Sequence, residues 1–134
     1  MTAPVITHAP GGGGGNGAGV SLVPFSFIIE SPSAADDDDL FIPVPFEATL
    51  VEVYHEIVGA TSIPFNLVWR AATTPDTGGT NVWSSNKTAT TGNSKETSFD
   101  NAGSGGADKV LGLNLSAPNG APQWLRVYGH YTID

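Results

Sequence analysis

Four consecutive aspartates, Asp36–Asp39, form the densest charge in the sequence. Carboxylates in such a run offer the oxygen ligands that Ca²⁺ takes, but no Gly stands at the sixth position of an EF-hand loop begun there. A solvated loop is the simpler reading, and a contact with basic groups of a partner is a third. His8, His55 and His130 are far apart and in three different contexts. Zn²⁺ or triad chemistry would need partners converging on one of them. The chain has no cysteine and no GxSxG elbow. Glu52 and Glu56 share a strand face and in principle could do paired-carboxylate glycosidase work. A charged, solvated strand face explains them more simply. Gly12–Gly17 satisfies GxGxxG trivially inside poly-Gly, with no strand–turn–helix around it and no Lys-Ser/Thr after it, so it is no phosphate cradle. Asn86-Lys87-Thr88 and Asn114-Leu115-Ser116 match the glycosylation sequon, which matters only in a secreted eukaryotic protein. The expectation is therefore a non-catalytic protein that needs no metal and no cofactor.

What positions these residues is a set of short strands. In Pro64–Ala72, Phe65, Leu67, Trp69 and Ala71 alternate with Asn66, Val68 and Arg70, the period of a half-buried strand. Ala48–Val58 puts Val51, Val53, His55 and Ile57 on one strand face, although Leu50, Val51, Tyr54, Ile57 and Val58 also fit a helical stripe. The β-branched residues, the preceding Pro43 and Pro45, and the lack of a helix cap favour a strand. With the short GATSI connection, the two runs read as a hairpin. His55 then reads as a hydrogen-bonded core or interface histidine. Val20–Glu30 alternates through Val23, Phe25, Phe27 and Ile29, and Pro24 puts it at a sheet edge or a bulge. Val82-Trp83-Ser84 and Thr97–Asp100 read as brief strands, and residues 86–96 as a long polar loop. In Val110–Ser116 the leucines Leu111, Leu113 and Leu115 point inward. In Gln123–Ile133, Leu125, Val127, Tyr131 and Ile133 share one face and Trp124, Arg126, Tyr128 and His130 the other.

The 134 residues suit one domain with a real core, and 17 Gly with 10 Pro favour many short strands. The fold class expected is all-β: an antiparallel, jelly-roll-like β-sandwich over residues 20–134. It is preceded by an extended Gly-rich N-terminal arm over residues 1–19, MTAPVITHAPGGGGGNGAG. No Lys, Arg, Asp or Glu occurs before Glu30, so the arm is expected to lie against a neighbouring subunit. No signal-peptide pattern opens the chain. With 13 acidic and 5 basic residues, net −8, the chain lacks the basic footprint that nucleic acid or an anionic membrane would need. Trp124, Tyr128 and His130, if outward, form an aromatic stripe suited to a protein interface or a sugar platform.

From about Pro43 onward the chain resembles β-sandwich modules in virion proteins of tailed bacteriophages. The resemblance lies in PFEATLVEV, FNLVW, the TGGTNVWSS turn and strand, the TSF run, KVLGLNLS and the closing QWLRVYGHYTI. In that family such modules form head decoration (cement) proteins, head fibres and tail-fibre pieces. The resemblance implies a virion protein on the capsid surface, assembled in the host cytoplasm, with the major capsid protein and its own copies as partners. A homotrimer at local three-fold positions is the implied assembly, and nothing catalytic carries over. The partner-binding residues expected are Val5, Ile6, His8 and Pro10 in the arm, with Trp124, Tyr128 and His130. A carbohydrate- or receptor-binding fibre module, stacking ligand on Trp83, Trp124 and Tyr128, is the alternative.

Overall fold

A computed structural model describes residues 21–36, 40–59 and 61–134. Nine strands appear among them: β1 (Leu22–Glu30), β2 (Phe41–Val44), β3 (Ala48–Val58), β4 (Ile63–Ala71), β5 (Thr80–Asn81), β6 (Lys87–Ala89), β7 (Ser94–Glu96), β8 (Lys109–Leu115) and β9 (Trp124–Ile133). A single 3₁₀ turn, Ala34–Asp36, lies between β1 and β2. The arm (residues 1–19), with Val5, Ile6, His8, Pro10 and Gly12–Gly17, and the carboxylates Asp37–Asp39 lie outside the described residues.

One sheet has the order β1-β9-β3-β7 and the other β2-β8-β4-β5, with β6 also on β4. Every pairing is antiparallel. With β6 set aside, β1, β2, β3 and β4 fall in alternate sheets, and β9 and β8 return beside β1 and β2. That is the interleaved order of a jelly roll. Pro24 sits on β1, an edge strand, and Pro43 on β2, the other sheet's edge, where a missing N–H costs least.

The expected hairpin between Ala48–Val58 and Pro64–Ala72 does not form. β3 pairs with β9 and β7, whereas β4 pairs with β8, β5 and β6, so residues 59–62 carry the chain from one sheet to the other. Each strand has an apolar face, and the two faces meet across the core instead of lying edge to edge. His55 on β3 and Phe65 on β4 meet there with ring centroids 5.0 Å apart. Gly59 makes the exit with φ +116°, a conformation that side chains disfavour. β3 is a strand throughout, and its register shifts between Leu50 and Glu52. The extra residue, Val51, is left exposed, so the inward set is Leu50, Val53, His55 and Ile57. The polar stretch 86–96 is not all loop: β6 pairs with Ile63–Phe65 and β7 with Val53–His55. Thr97–Asp100 forms no strand, and the brief strand expected at Val82–Ser84 lies just upstream at Thr80–Asn81.

Between the sheets, Phe65, Leu67, Trp69, Leu111, Leu113, Leu115, Leu125 and Val127 are all buried, as the alternation requires. At strand ends the alternation frays, and Ile133 and Ala71 are exposed. Gly129 on the central strand β9 is needed for close packing: a Cβ there would overlap the Glu52 carbonyl of β3.

The outer faces of the two sheets differ. On β4 the outward residues Asn66, Val68 and Arg70 are buried nonetheless, because the chain after β4 folds back over them. Arg70 donates from Nε to the Gly78 carbonyl at 3.0 Å and from Nη2 to Asn114 Oδ1 at 2.8 Å. Asn66 donates from Nδ2 to the Trp83 carbonyl at 2.8 Å and accepts from the Trp83 N–H at 3.2 Å. Gly79, at φ +100°, lies against Trp69, Arg70 and Val68 so closely that a side chain has no room.

Leu113 is fully buried, so Leu113→Ala should lower unfolding free energy by about 2–5 kcal/mol in urea melts; an unchanged midpoint would contradict the face assignment. Burial raises the Tyr131 phenol above its usual value. Its protonated form is favoured in the folded state, so its contribution is complete below pH ~10 and is lost as pH rises through the raised value. Phenolate absorbance should show one of the three tyrosines ionising late, and Tyr131→Phe should remove that step.

Candidate docking face

Among the described residues, the outer face of the β1-β9-β3-β7 sheet has no such cover. Strand register sets its rows. Glu30 lies beside Trp124 and Trp124 beside Val58; Ile28 beside Arg126 and Arg126 beside Glu56. Ser26, Tyr128, Tyr54 and Lys95 form the next row, and Pro24, His130 and Glu52 the one after. The opposite parity of the same strands fills the core, which fixes these residues outward. Trp124, Tyr128 and His130 therefore share one face, as their spacing on β9 predicts.

Neighbouring side chains hold one another across that face. Tyr54 and Tyr128 stack with centroids 5.1 Å apart and planes 12° from parallel. Lys95 lies over the Tyr54 ring at 5.7 Å and Arg126 over Tyr128 at 5.5 Å. Asn93 donates from Nδ2 to the Tyr128 hydroxyl at 3.0 Å. Arg126 donates to Glu56, and that hydrogen bond raises the guanidinium above its usual value. Glu52 takes His130 Nδ1 at 3.2 Å and Lys95 Nζ at 3.9 Å. Ile28, Glu56, Val58, Trp124 and Arg126 line a shallow cleft of about 320 Å³. Seven large apolar side chains are exposed among the described residues, and six of them (Leu22, Ile28, Val51, Val58, Trp124 and Ile133) belong to β1, β3 and β9. Phe41 on β2 is the seventh.

Both carboxylates that the sequence singles out, Glu52 and Glu56, are engaged by basic side chains beside them. Among the described residues no group of three or more His, Asp or Glu lies close enough to hold a metal ion.

The other residues singled out from the sequence lie elsewhere. His55 is buried, with Nε2 3.0 Å from Glu96 Oε2, and Glu96 also takes Lys87 Nζ at 3.4 Å. It is a core histidine with a hydrogen-bonded partner. Trp83 cannot serve as a stacking platform. It is 3% exposed, its Nε1–H donates to the Ser98 carbonyl at 2.9 Å, and its ring packs edge-on against Phe65. Asn114, of the second sequon, accepts from Arg70. Sequence reasoning placed Arg126 on this face with Trp124, Tyr128 and His130, and missed Ile28, Tyr54 and Val58 as its members. Their outward parity was readable, but the pairing of β9 with both β1 and β3 was not.

No family model matches the chain, and no curated protein does. Among solved structures, the chain is similar to one described as the capsid asymmetric unit of cyanophage Pam1. The identity is 18% and the TM-score 0.40, over 96% of this chain and 93% of that one.

Glu96→Ala leaves the buried Nε2 of His55 without its acceptor. It should cost about 1–3 kcal/mol of stability in denaturant melts, the penalty for an unpaired buried polar group. No change would show that water replaces the carboxylate.

Proposed function

We propose that this protein is a structural, non-catalytic component of a tailed-phage virion that binds the outside of the capsid and stabilises it by bridging capsomers. The observation that carries the docking reading is the inequality of the two outer faces among the described residues: one is covered by its own chain, the other is uncovered and holds the exposed Trp124 with Tyr54, Tyr128 and Arg126. Trp, Tyr and Arg are the side chains that carry most binding energy at protein interfaces. The virion setting is supported by the resemblance of PFEATLVEV, FNLVW and KVLGLNLS to phage virion modules. The major capsid protein is the partner in this reading. A trimer at local three-fold positions is the assembly the resemblance implies.

The size of the face adds a condition. Three strands of 9, 10 and 11 residues and one of 3, ~4.8 Å apart and rising ~3.3 Å per residue, give a footprint on the order of 500 Å². A standard interface buries ~800 Å² on each partner. The face alone falls short, so further contacts between copies would complete the attachment. The second reading, a sugar- or receptor-binding module, retains one of its three platforms. Trp83 is buried, and Tyr128 is stacked on Tyr54 with Arg126 over its ring. Trp124 beside its cleft remains.

The test is occupancy on purified particles. The Ile28→Ser/Trp124→Ala double variant should fold normally and lose at least ~90% of its occupancy, equivalent to roughly 1.4 kcal/mol or more of attachment. Thr73→Asp, on the loop covering the other sheet, should bind as the parent does. Full occupancy of the double variant would overturn the docking face.

A further inference from the structure

β1 pairs with β9 on one side, and no described strand pairs with it on the other. Its nine residues make it the longest open edge among the described strands, since β2 has four, β6 and β7 three each and β5 two. Long bare edges are normally blunted by charge, by proline or by a covering segment. LVPFSFII, the run before Glu30, holds no charged side chain. Its one guard is Pro24.

Parity tells which way the β1 backbone points. The Ser31 N–H donates to the Gln123 carbonyl, on the β9 side, at 2.8 Å. Antiparallel strands alternate the direction of their backbone groups, so the odd positions face β9 and the even positions face the open side. Pro24 thus lacks its N–H on the open side, while Ser26, Ile28 and Glu30 present both N–H and C=O there. Ile28 also turns its side chain to the outer face, into the cleft beside Trp124.

We propose that the N-terminal segment Thr2–Pro10 of a second copy adds to this edge as a further strand. The chain outside the described residues at this end is 20 residues long and leads into β1 itself. In Thr2–Pro10, the prolines Pro4 and Pro10 favour extended backbone and Val5-Ile6-Thr7 are strand formers. The segment holds no Lys, Arg, Asp or Glu, and the edge holds none before Glu30. On a tether the uncharged segment can reach the edge while the two net −8 bodies stay more than a screening length of roughly 10 Å apart. Alternation lets one of Val5 and Ile6 lie on the outer face next to Ile28 and fill the cleft. Residues 11–19 then act as a tether of up to ~30 Å. Pairing with the same copy's β1 would instead require residues 11–21 to close as a loop rich in glycine, the residue that loses most freedom on ordering.

This inference deepens the docking reading by naming what joins the copies. It concerns copies in solution, so its failure leaves capsid docking untouched. The experiment is light scattering across a concentration series, with amide hydrogen exchange at Ser26, Ile28 and Glu30. The full chain should self-associate, with those amides slowed about tenfold or more. Removal of residues 2–10, or Val5→Asp/Ile6→Asp, should give a monomer with fast exchange there. A Thr2–Pro10 peptide added to the shortened chain should restore slow exchange. A monomeric full chain with slow exchange would mean the segment pairs within its own copy, and would overturn the proposal. So would an oligomer that persists in the Val5→Asp/Ile6→Asp variant, or fast exchange at all three amides in the full chain.

Discussion

The structure depends on the side chains that pin residues 72–86 across the outside of the β2-β8-β4-β5 sheet. Asn66 gives both its amide donor and its carbonyl to the backbone of Trp83, and Arg70 holds Gly78 and Asn114. These are buried polar groups, and leaving any of them unpaired would cost more than the bond itself contributes. The arrangement is therefore held in place as well as favoured. It turns Trp83 inward against Phe65 and Phe99, and it closes one of the two outer faces of the sandwich. Ser84 adds a fastening from its N–H to Asp100 at 2.7 Å, which lowers the Asp100 carboxyl below its usual range.

With one face closed by the chain itself, the other carries the molecule's external chemistry. Its ion pairs are half-exposed, and pairs of that kind contribute ~0–1 kcal/mol each. Their larger effect is geometric. Arg126 and Lys95 lie over the paired tyrosines, and Glu52 and Glu56 hold those cations, so the rings form an ordered surface without a partner present. A preordered surface loses less side-chain freedom on binding. The acidic excess of the whole chain is locally offset here, since Lys95 and Arg126 are two of its five basic residues.

Much of the core was legible from alternation alone. Phe25, Phe27, Phe65, Leu67, Leu111, Leu113, Leu115, Leu125 and Val127 are inward because period two allows no other choice once a strand forms. Pro24 likewise marked its strand as an edge or the site of a bulge, and the strand is an edge. What was not legible is long-range. The segment after Val58 reads as a hairpin turn, yet it crosses between sheets, because β4 finds its neighbours in β8 and β5 and not in β3. Val51 breaks the period by a single inserted residue, and no local signal marks such a shift. β6 and β7 are polar and short, and they are strands only because Ile63–Phe65 and Val53–His55 offer them edges. Trp83 looked available in sequence because the segments that bury it, around Asn66 and Ser98, are distant in the chain. The docking face was half legible: Trp124, Tyr128 and His130 share a strand, but Ile28, Tyr54 and Val58 join them only through pairing.

The most direct test of the account is hydroxyl-radical footprinting of the protein free and bound to its particle, read residue by residue. The account predicts that Trp124, Tyr54 and Tyr128 become protected on binding, while Phe41, exposed on the other sheet, keeps its reactivity. Trp124 reacting on the particle as fast as it does free, with Phe41 protected instead, would contradict the assignment of the docking face.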